Sequence, residues 1–461
     1  MNMNALLLAM LPEHVLLLGI VVVIALVLVG RDRQGALAVA FASVAVAAIA
    51  ALRLAADGYA AAPFAGQFSV DAGGLLVKGM VLALTLPVLL IARDEFEGAE
   101  FPALLLSSLY GVCQLQSADG FATLFLGLEL MSLPVYVLVL LADRRPQSAE
   151  AALKYLVLGG TATATFLMGA SLLYGASGSL GIDAFAHGLG AADGLSRAAV
   201  VLVVLAFFLK AAIVPFHAWA PDAYEGATVP VTAYMATIVK AGVLLAVVRL
   251  FGKATVASPL LEILAALPLL SIVWGNLAAM RQPSLRRMIA YSSIAHAGYL
   301  FYALLGDAAG RLQAVAFYLL AYGLMNLLAF AALPASADDA ARDRLDNLKG
   351  LFHRAPFAAL VLGVAMLSLA GIPPFPGFVA KFLIFRDVMA AGHTTYAVLG
   401  LVGSYVGIYF YLRVIQFMFM SPDAKAADLR PAAGLARMAT AACLAAALAI
   451  TVFPGWVIAR L

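Results

Sequence analysis

The chain has 461 residues, of which 64% are hydrophobic and only 11% charged. Soluble domains average roughly 45–50% apolar and about 25% charged residues. This composition, with a mean hydropathy of +1.02, excludes a soluble enzyme and a disordered chain. A net charge of +3, from 28 basic and 25 acidic side chains, offers no basic surface for nucleic acid. Cys113 and Cys443 are too few for an iron–sulfur cluster, which takes about four ligands. Both sit in apolar runs, as buried free thiols do. What remains is a polytopic membrane protein.

A spanning helix needs about 20 mostly apolar residues. Fourteen runs meet that length: 11–30, 34–52, 70–92, 101–118, 121–141, 148–176, 197–218, 228–250, 258–280, 286–306, 311–333, 355–390, 394–420 and 432–457. The expected fold is therefore all-α, with about 14 transmembrane helices. Barrel strands alternate apolar and polar residues over about ten positions, and these runs do not. The first run is flanked by Glu13 and has no basic leader, so it reads as a retained span and not a signal peptide. Residues 1–461 form one transmembrane domain. Its parts are helices 1–3 (1–100), helices 4–8 (101–250), helices 9–13 (258–420) and helix 14 (432–461). The charged stretch with Asp338, Asp339, Arg342, Asp343, Arg344, Asp346 and Lys349 reads as a solvated loop.

Orientation follows the basic residues in the loops. One side collects fifteen, among them Arg31, Arg33, Arg93, Arg144, Arg145, Arg286, Arg287, Lys425 and Arg430. The other side has seven, among them Arg53, Arg249, Lys253 and Arg311. That asymmetry predicts both termini on the outer side.

Seven charged residues fall inside the spans: Lys78, Glu129, Lys154, Lys210, Lys240, Lys381 and Arg413. Each costs about 2.5–3.5 kcal/mol at mid-bilayer on insertion scales, so they must face one another or water, and such residues mark ion paths and proton relays. Lys210 and Lys240 lie about halfway along their runs, where snorkelling is hardest. Lys154, near the start of its run, can reach the headgroups instead. Lys78 is alone in its run and fits a structural role equally well. Arg413 lies near a span end and fits interface contacts better. Glu129 requires a cationic partner, and Lys154 is the nearest by sequence; a purely structural ion pair is the alternative. Lysine suits proton relay because desolvation lowers its affinity for the proton and a neighbouring carboxylate restores it.

Two spans are broken. FFLKAAIVPFHAWAPDAYEG contains Pro215, which ends or kinks a helix. MLSLAGIPPFPGFVAKFLIF contains Gly371, Pro373, Pro374, Pro376 and Gly377. Irregular backbone at membrane depth is tolerated only where protein or a wet cavity satisfies it. Breaks in spans seven and twelve, five apart, predict two five-helix repeats of inverted topology with discontinuous helices 7 and 12. Lys210 precedes its break and Lys381 follows its own, so the two lysines are not repeat-equivalent. His296, ten residues into its span, is either a relay group or a hydrogen-bonded core histidine. His217, just past Pro215, serves equally as relay or interface. Asp222 and Glu225 read as loop caps. No phosphate loop, dinucleotide fingerprint or metal-spaced cluster is present.

LGLELMSLPVYVL, EAALKYLVLGG, FLKAAIVPFHAWAPDAYEGATVPVTAY, LRRMIAYSSIAHAGYL and LAGIPPFPGFVAKFLIF, in that order, resemble the antiporter-like subunits of proton-pumping NADH–quinone oxidoreductase, respiratory complex I. PDAYEGATVPVTAY and the lysine at Lys381 point to the subunit N branch. The resemblance implies that Glu129 is the essential glutamate and Lys154 its partner. It makes Lys210 and Lys240 the central lysines and Lys381 the terminal one. It implies a proton path running from the inner side near Lys240 to an exit near Lys381. Read from the residues alone, His296, His217 and Lys78 are further relay candidates. No cofactor is expected here: NADH, flavin, iron–sulfur clusters and quinone belong to other subunits. The expected setting is a bacterial inner membrane, beside other antiporter-like subunits of a translocase. The competing readings are a sodium/proton antiporter acting alone or in an Mrp-like assembly, the equivalent subunit of a ferredoxin- or hydrogenase-linked complex, and a membrane scaffold.

Overall fold

A computed structural model describes residues 3–30, 33–96, 98, 100–142, 146–252, 254, 260–333, 342–421 and 434–461. Arg31, Arg144, Arg145, Lys253, Asp338, Asp339, Lys425 and Arg430 lie outside the described residues. The main helices begin with α1 (Leu11–Leu28), α2 (Arg33–Ala56), α3 (Ala72–Ile91), α4 (Glu100–Ser117), α5 (Phe121–Leu140) and α6 (Pro146–Ser177). Next come α7 (Gly194–Ala211), the short α8 (Trp219–Gly226), α9 (Val229–Phe251), α10 (Leu260–Ala279), α11 (Leu285–Leu305) and α12 (Arg311–Ala331). The last four are α13 (Pro356–Ala370), α14 (Pro376–Ala390), α15 (Thr394–Phe419) and α16 (Gly434–Val452).

Twelve of these are long and apolar enough to cross a membrane, all but α4, α8, α13 and α14. The two remaining expected spans fall on α4, 18 residues with a more polar face, and on the pair α13 and α14, of 15 residues each. Helices suit this chain because in lipid every backbone N–H and C=O must find its partner within the segment. Several helix starts are closed by side chains. Asp71 accepts from Gly74 N at 2.8 Å, Asp193 from Ser196 N at 2.8 Å, and Ser284 from Arg287 N at 3.3 Å. The Ser196 amide holds the Asp193 carboxyl below the usual carboxylate range. An antiparallel hairpin, Ala61–Phe64 with Phe68–Val70, fills the link from α2 to α3.

The helices are graded by burial. α9, α11 and α12 are enclosed nearly all round, while α1, α2, α6, α15 and α16 turn most of their surface outward. The outward residues are large and apolar, such as Leu18 and Val21 on α1, Val157 and Met168 on α6, and Tyr405 on α15. Apolar residues on every face suit helices enclosed on one side and exposed to lipid on the other.

Both predicted breaks are present and match position by position. α7 ends on Ala212, left-handed at φ 60° and ψ 40°. α13 ends on Gly371, left-handed at φ 82° and ψ 35°. The next amide folds back in each case, Ile213 N to Phe208 O at 2.9 Å and Ile372 N to Leu367 O at 3.1 Å. A cis proline follows in both, Pro215 and Pro374, and then Phe216 and Phe375. The αL turn closes the helix end and frees the last carbonyls for other donors.

The stretch expected to be a solvated loop is partly buried. Asp343 is 2% exposed and grips Arg286 on α11, with Nε at 3.1 Å. Arg342 is buried and paired with Glu95. The loop lies back over the helix ends, where these charges find partners instead of water.

Candidate functional site

Glu129 on α5 and Lys210 on α7 meet near the first break. Lys210 Nζ stands 3.4 Å from Glu129 Oε1 and donates to Ser132 Oγ at 3.2 Å. Thr163 on α6 donates its hydroxyl to the same carboxylate oxygen. The lysine is buried and the glutamate half-buried. Lys210 sits in the last turn of α7, where the αL turn at Ala212 ends the helix and lets the chain turn away.

Lys154 does not contact Glu129, contrary to the pairing expected from sequence. Its ammonium lies 2.7 Å from Asp222 Oδ2 and 2.7 Å from Glu150 Oε1. The reason is axial distance. Thr163, which binds Glu129, lies nine residues further along α6, about 13 Å at 1.5 Å per residue, further than a lysine side chain reaches. Asp222, read from sequence as a loop cap, also accepts from Arg287 at 2.8 Å, and Arg287 reaches Glu225 at 2.8 Å. Asp222, Glu225, Lys154 and Glu150 line a cavity of about 470 Å³, together with Gln147, Ser148, Arg286 and Asp343. Burial acts to raise the Asp222 carboxyl, but bonds from Lys154 and Arg287 hold it below the ordinary carboxylate range.

Lys240, Lys381 and His296 are brought together around α11. Lys240 follows five residues wound as a π turn, Met235–Val239, a distortion frequent at functional sites. Its Nζ donates to Ser293 O at 2.6 Å and to the Ser293 hydroxyl. His296 lies three residues on, with Nδ1 2.8 Å from Tyr318 Oη and Nε2 3.2 Å from Tyr411 Oη. Tyr411 Oη also meets Ser292 Oγ at 2.5 Å. Three residues further, Tyr299 presents its ring to Lys381 Nζ at 5.1 Å. Spacing of three keeps Ser293, His296 and Tyr299 on neighbouring faces of one helix. Lys381 donates to the terminal carbonyls of α13, Leu369 O and Ala370 O at 3.1 Å each, and to Ser404 Oγ at 2.9 Å. No side-chain hydrogen bond joins Lys210 to Lys240 among the described residues; the buried hydroxyls of Tyr136, Thr237 and Tyr322 have no protein partner.

His217, Lys78 and Arg413 lie apart from the α11 residues. His217 Nε2 accepts from Trp274 Nε1 at 3.0 Å at the protein surface. Lys78 is fully buried against Glu13 and donates to Ser117 Oγ at 2.7 Å. Arg413 donates to Met280 O at 2.8 Å beside the Phe417 ring.

Subunit N of NADH-quinone oxidoreductase from Pelobacter propionicus is 39% identical to this chain over 417 residues, 90% of this chain and 89% of its own length. The chain belongs to the family of NADH-quinone oxidoreductase subunit N. The subunit N of Geobacter metallireducens is 40% identical over 349 residues, 74% of this chain and 75% of its own. The wider family, described as NADH:quinone oxidoreductase/Mrp antiporter, TM, matches residues 118–407. A chain of respiratory complex I from Thermus thermophilus shares the fold with a TM-score of 0.86 and 38% identity, over 97% of this chain and 98% of that one. A chain of the Mrp complex from Dietzia sp. shares the fold alone, at 24% identity and a TM-score of 0.83, over 98% of this chain and 96% of that one.

Within this subunit N fold, sequence reasoning missed the hydroxyls that connect the charges: Ser132, Thr163, Ser293, Ser404, Tyr318 and Tyr411. Nothing in a lone sequence marks them, because serine, threonine and tyrosine are common in membrane helices. It also missed Glu13 as the partner of Lys78. A signal existed there, since a carboxylate in the first turn of a span requires a cation.

Proposed function

We propose that this chain is the proton-translocating membrane subunit of an NADH–quinone oxidoreductase, moving protons along Glu129, Lys210, Lys240, His296 and Lys381. The subunit N relatives and the complex I fold support the role in the complex. The observation that carries the relay is the alignment of Lys240, Ser293, His296, Tyr299 and Lys381 along α11, between two broken helices. Each lysine is held differently. Lys210 faces a carboxylate, which favours its charged form. Lys240 and Lys381 face neutral oxygens, which accept their N–H groups without fixing the extra proton. Separation of Glu129 from Lys210 would free a proton for the α11 chain. Water closes the interval between Lys210 and Lys240, where unpartnered hydroxyls call for it. Lys154, held by Glu150 and Asp222 beside the inner cavity, exchanges protons with the inner side.

In this reading both termini face outward from a bacterial inner membrane. Fourteen crossings arise by counting α4 and the α13–α14 pair. Residues 101–250 and 258–420 form inverted repeats, supported by the matching breaks. Redox cofactors reside in other subunits, and neighbouring antiporter-like subunits flank this one.

The test is coupling in native vesicles. NADH oxidation should acidify one side when the assembled complex carries this chain, and an imposed sodium gradient should not substitute for NADH. Proton movement driven by a sodium gradient without NADH would support the antiporter instead.

A further inference from the structure

A second buried ion pair lies outside the relay. Glu13 in the first turn of α1 and Lys78 in the second turn of α3 are 1% and 0% exposed. Ser117, the last residue of α4, accepts from Lys78 at 2.7 Å. All three occupy the same end of the fold. A buried pair is a weak stabiliser, since apolar replacements often do as well, and this one is incompletely satisfied. Among the described residues Glu13 Oε2 has no hydrogen-bond partner, and neither amide atom of the buried Gln116 has one. Buried polar atoms are almost always hydrogen-bonded, to protein or water.

A cavity of about 430 Å³ lies beside Gln116. Gln116 lines it, as do Val77, Asp71, Arg249 and Arg311. Val77 and Gln116 are the chain neighbours of Lys78 and Ser117. Arg311 Nε, also on this wall, is buried without a partner. The Gln116 amide and Arg311 Nε, unpartnered polar groups on one wall, call for water, and the volume holds several molecules at about 30 Å³ each.

We infer that Glu13 and Lys78 form a proton-exchange site served from the outer face through the cavity beside Gln116. The word "outer" rests on the orientation given above. In the exchange, a hydronium ion in the cavity water gives up a proton to the Glu13 carboxylate: one hydronium O–H bond breaks, the carboxyl O–H bond forms, a neutral water remains, and Lys78 keeps its ammonium; the reverse step returns the proton to the cavity water. Other titratable groups at this end are otherwise engaged. His14 bonds to Met10 O, Arg53 pairs with Asp57, and Arg249 faces Asp71 and Asp119. Cys113 lies on α4 as a buried thiol near both members of the pair. Tyr59 packs beside Phe68 at the hairpin.

The test uses vesicles of both sidedness holding the assembled complex. A membrane-permeant carbodiimide, which adds only to a protonated carboxyl, is applied while the pH on each side is varied. Modification of Glu13 is read by mass spectrometry, with Glu13→Gln as the site control. The expected rate falls about tenfold per unit of outer pH above the midpoint and ignores inner pH. A rate that follows inner pH instead upholds the site and overturns the orientation. No modification at any pH, or a rate insensitive to pH on both sides, overturns the site. Gln116→Leu, which keeps both charges, should slow modification several-fold; an unchanged rate overturns the route. If that variant does not assemble, the wild-type pH dependence decides by itself.

Discussion

The two breaks share one backbone and treat their lysines in opposite ways. At the first, the indole of Trp219 caps Leu209 O at 3.0 Å, and Lys210 turns aside to a carboxylate. At the second, the ammonium of Lys381 takes the carbonyls of Leu369 and Ala370, with no carboxylate in contact among the described residues. A cation at a helix C-terminus is favoured by the macrodipole, typically by about 0.3–1 kcal/mol and up to about 2 when partly buried. The residue in the αL position follows from this choice. Ala212 has room for its Cβ, whereas a Cβ at Gly371 would meet Lys381 Cδ at 3.0 Å and Nζ at 3.1 Å. The same turn therefore presents a lysine to a carboxylate at one site and to helix-end carbonyls at the other.

Replacements can break that contrast. The largest effect is expected from Glu129→Ala, which leaves Lys210 without its anion. Losing one partner of a buried pair costs about 3–5 kcal/mol, and NADH-linked pumping should fall toward background while the complex assembles on a native gel. Glu129→Asp, retaining charge with less reach, should be milder. Lys381→Met comes next. It removes the cation from the α13 carbonyls, and should lower pumping strongly while Lys381→Arg recovers part of it in the same vesicle assay.

Gly371→Ala should be third. The left-handed backbone costs a non-glycine residue about 1–2 kcal/mol, and the methyl displaces Lys381, so both melting temperature and pumping should drop. The matching Ala212→Gly should change stability by less than about 1 kcal/mol, because relief of the left-handed strain offsets the added chain entropy. Equal effects at the two positions would contradict the assignment of Gly371 to making room for Lys381.

The smallest effect is expected from Asp222→Asn, on the rim of the inner cavity. The Asp222 carboxyl is held below its ordinary range. A depressed acid contributes stability above its unfolded value of about 3.9, and that contribution is lost as pH falls through the lower folded value. The contact with Lys154 is therefore intact near neutrality. The modest loss of pumping in the variant should be the same at about pH 6 and about pH 8.

The membrane class, the run of spans and both breaks were legible in the sequence, because apolar length and proline leave few alternatives. Glu129, Lys210, Lys240 and Lys381, four members of the proposed relay, were legible too, as charges too costly to face lipid; His296 was not legible in that way. Partners were less so. Lys154 was assigned to Glu129 by closeness in sequence, but helix rise separates them, and Asp222 beyond the first break takes its place. Glu13 was read as a flank, since only three-dimensional proximity joins residue 13 to residue 78. Charges in the loop around Asp343 looked solvated because a sequence does not show that a loop folds back over helix ends.

Lys210→Ala in the assembled complex is the most direct measurement of the central claim that protons cross by way of the pair near the first break. Proton translocation and NADH oxidation should be recorded together in the same vesicles. The account predicts an assembled complex that still oxidises NADH while proton translocation collapses. Wild-type proton translocation per NADH in that variant would contradict it.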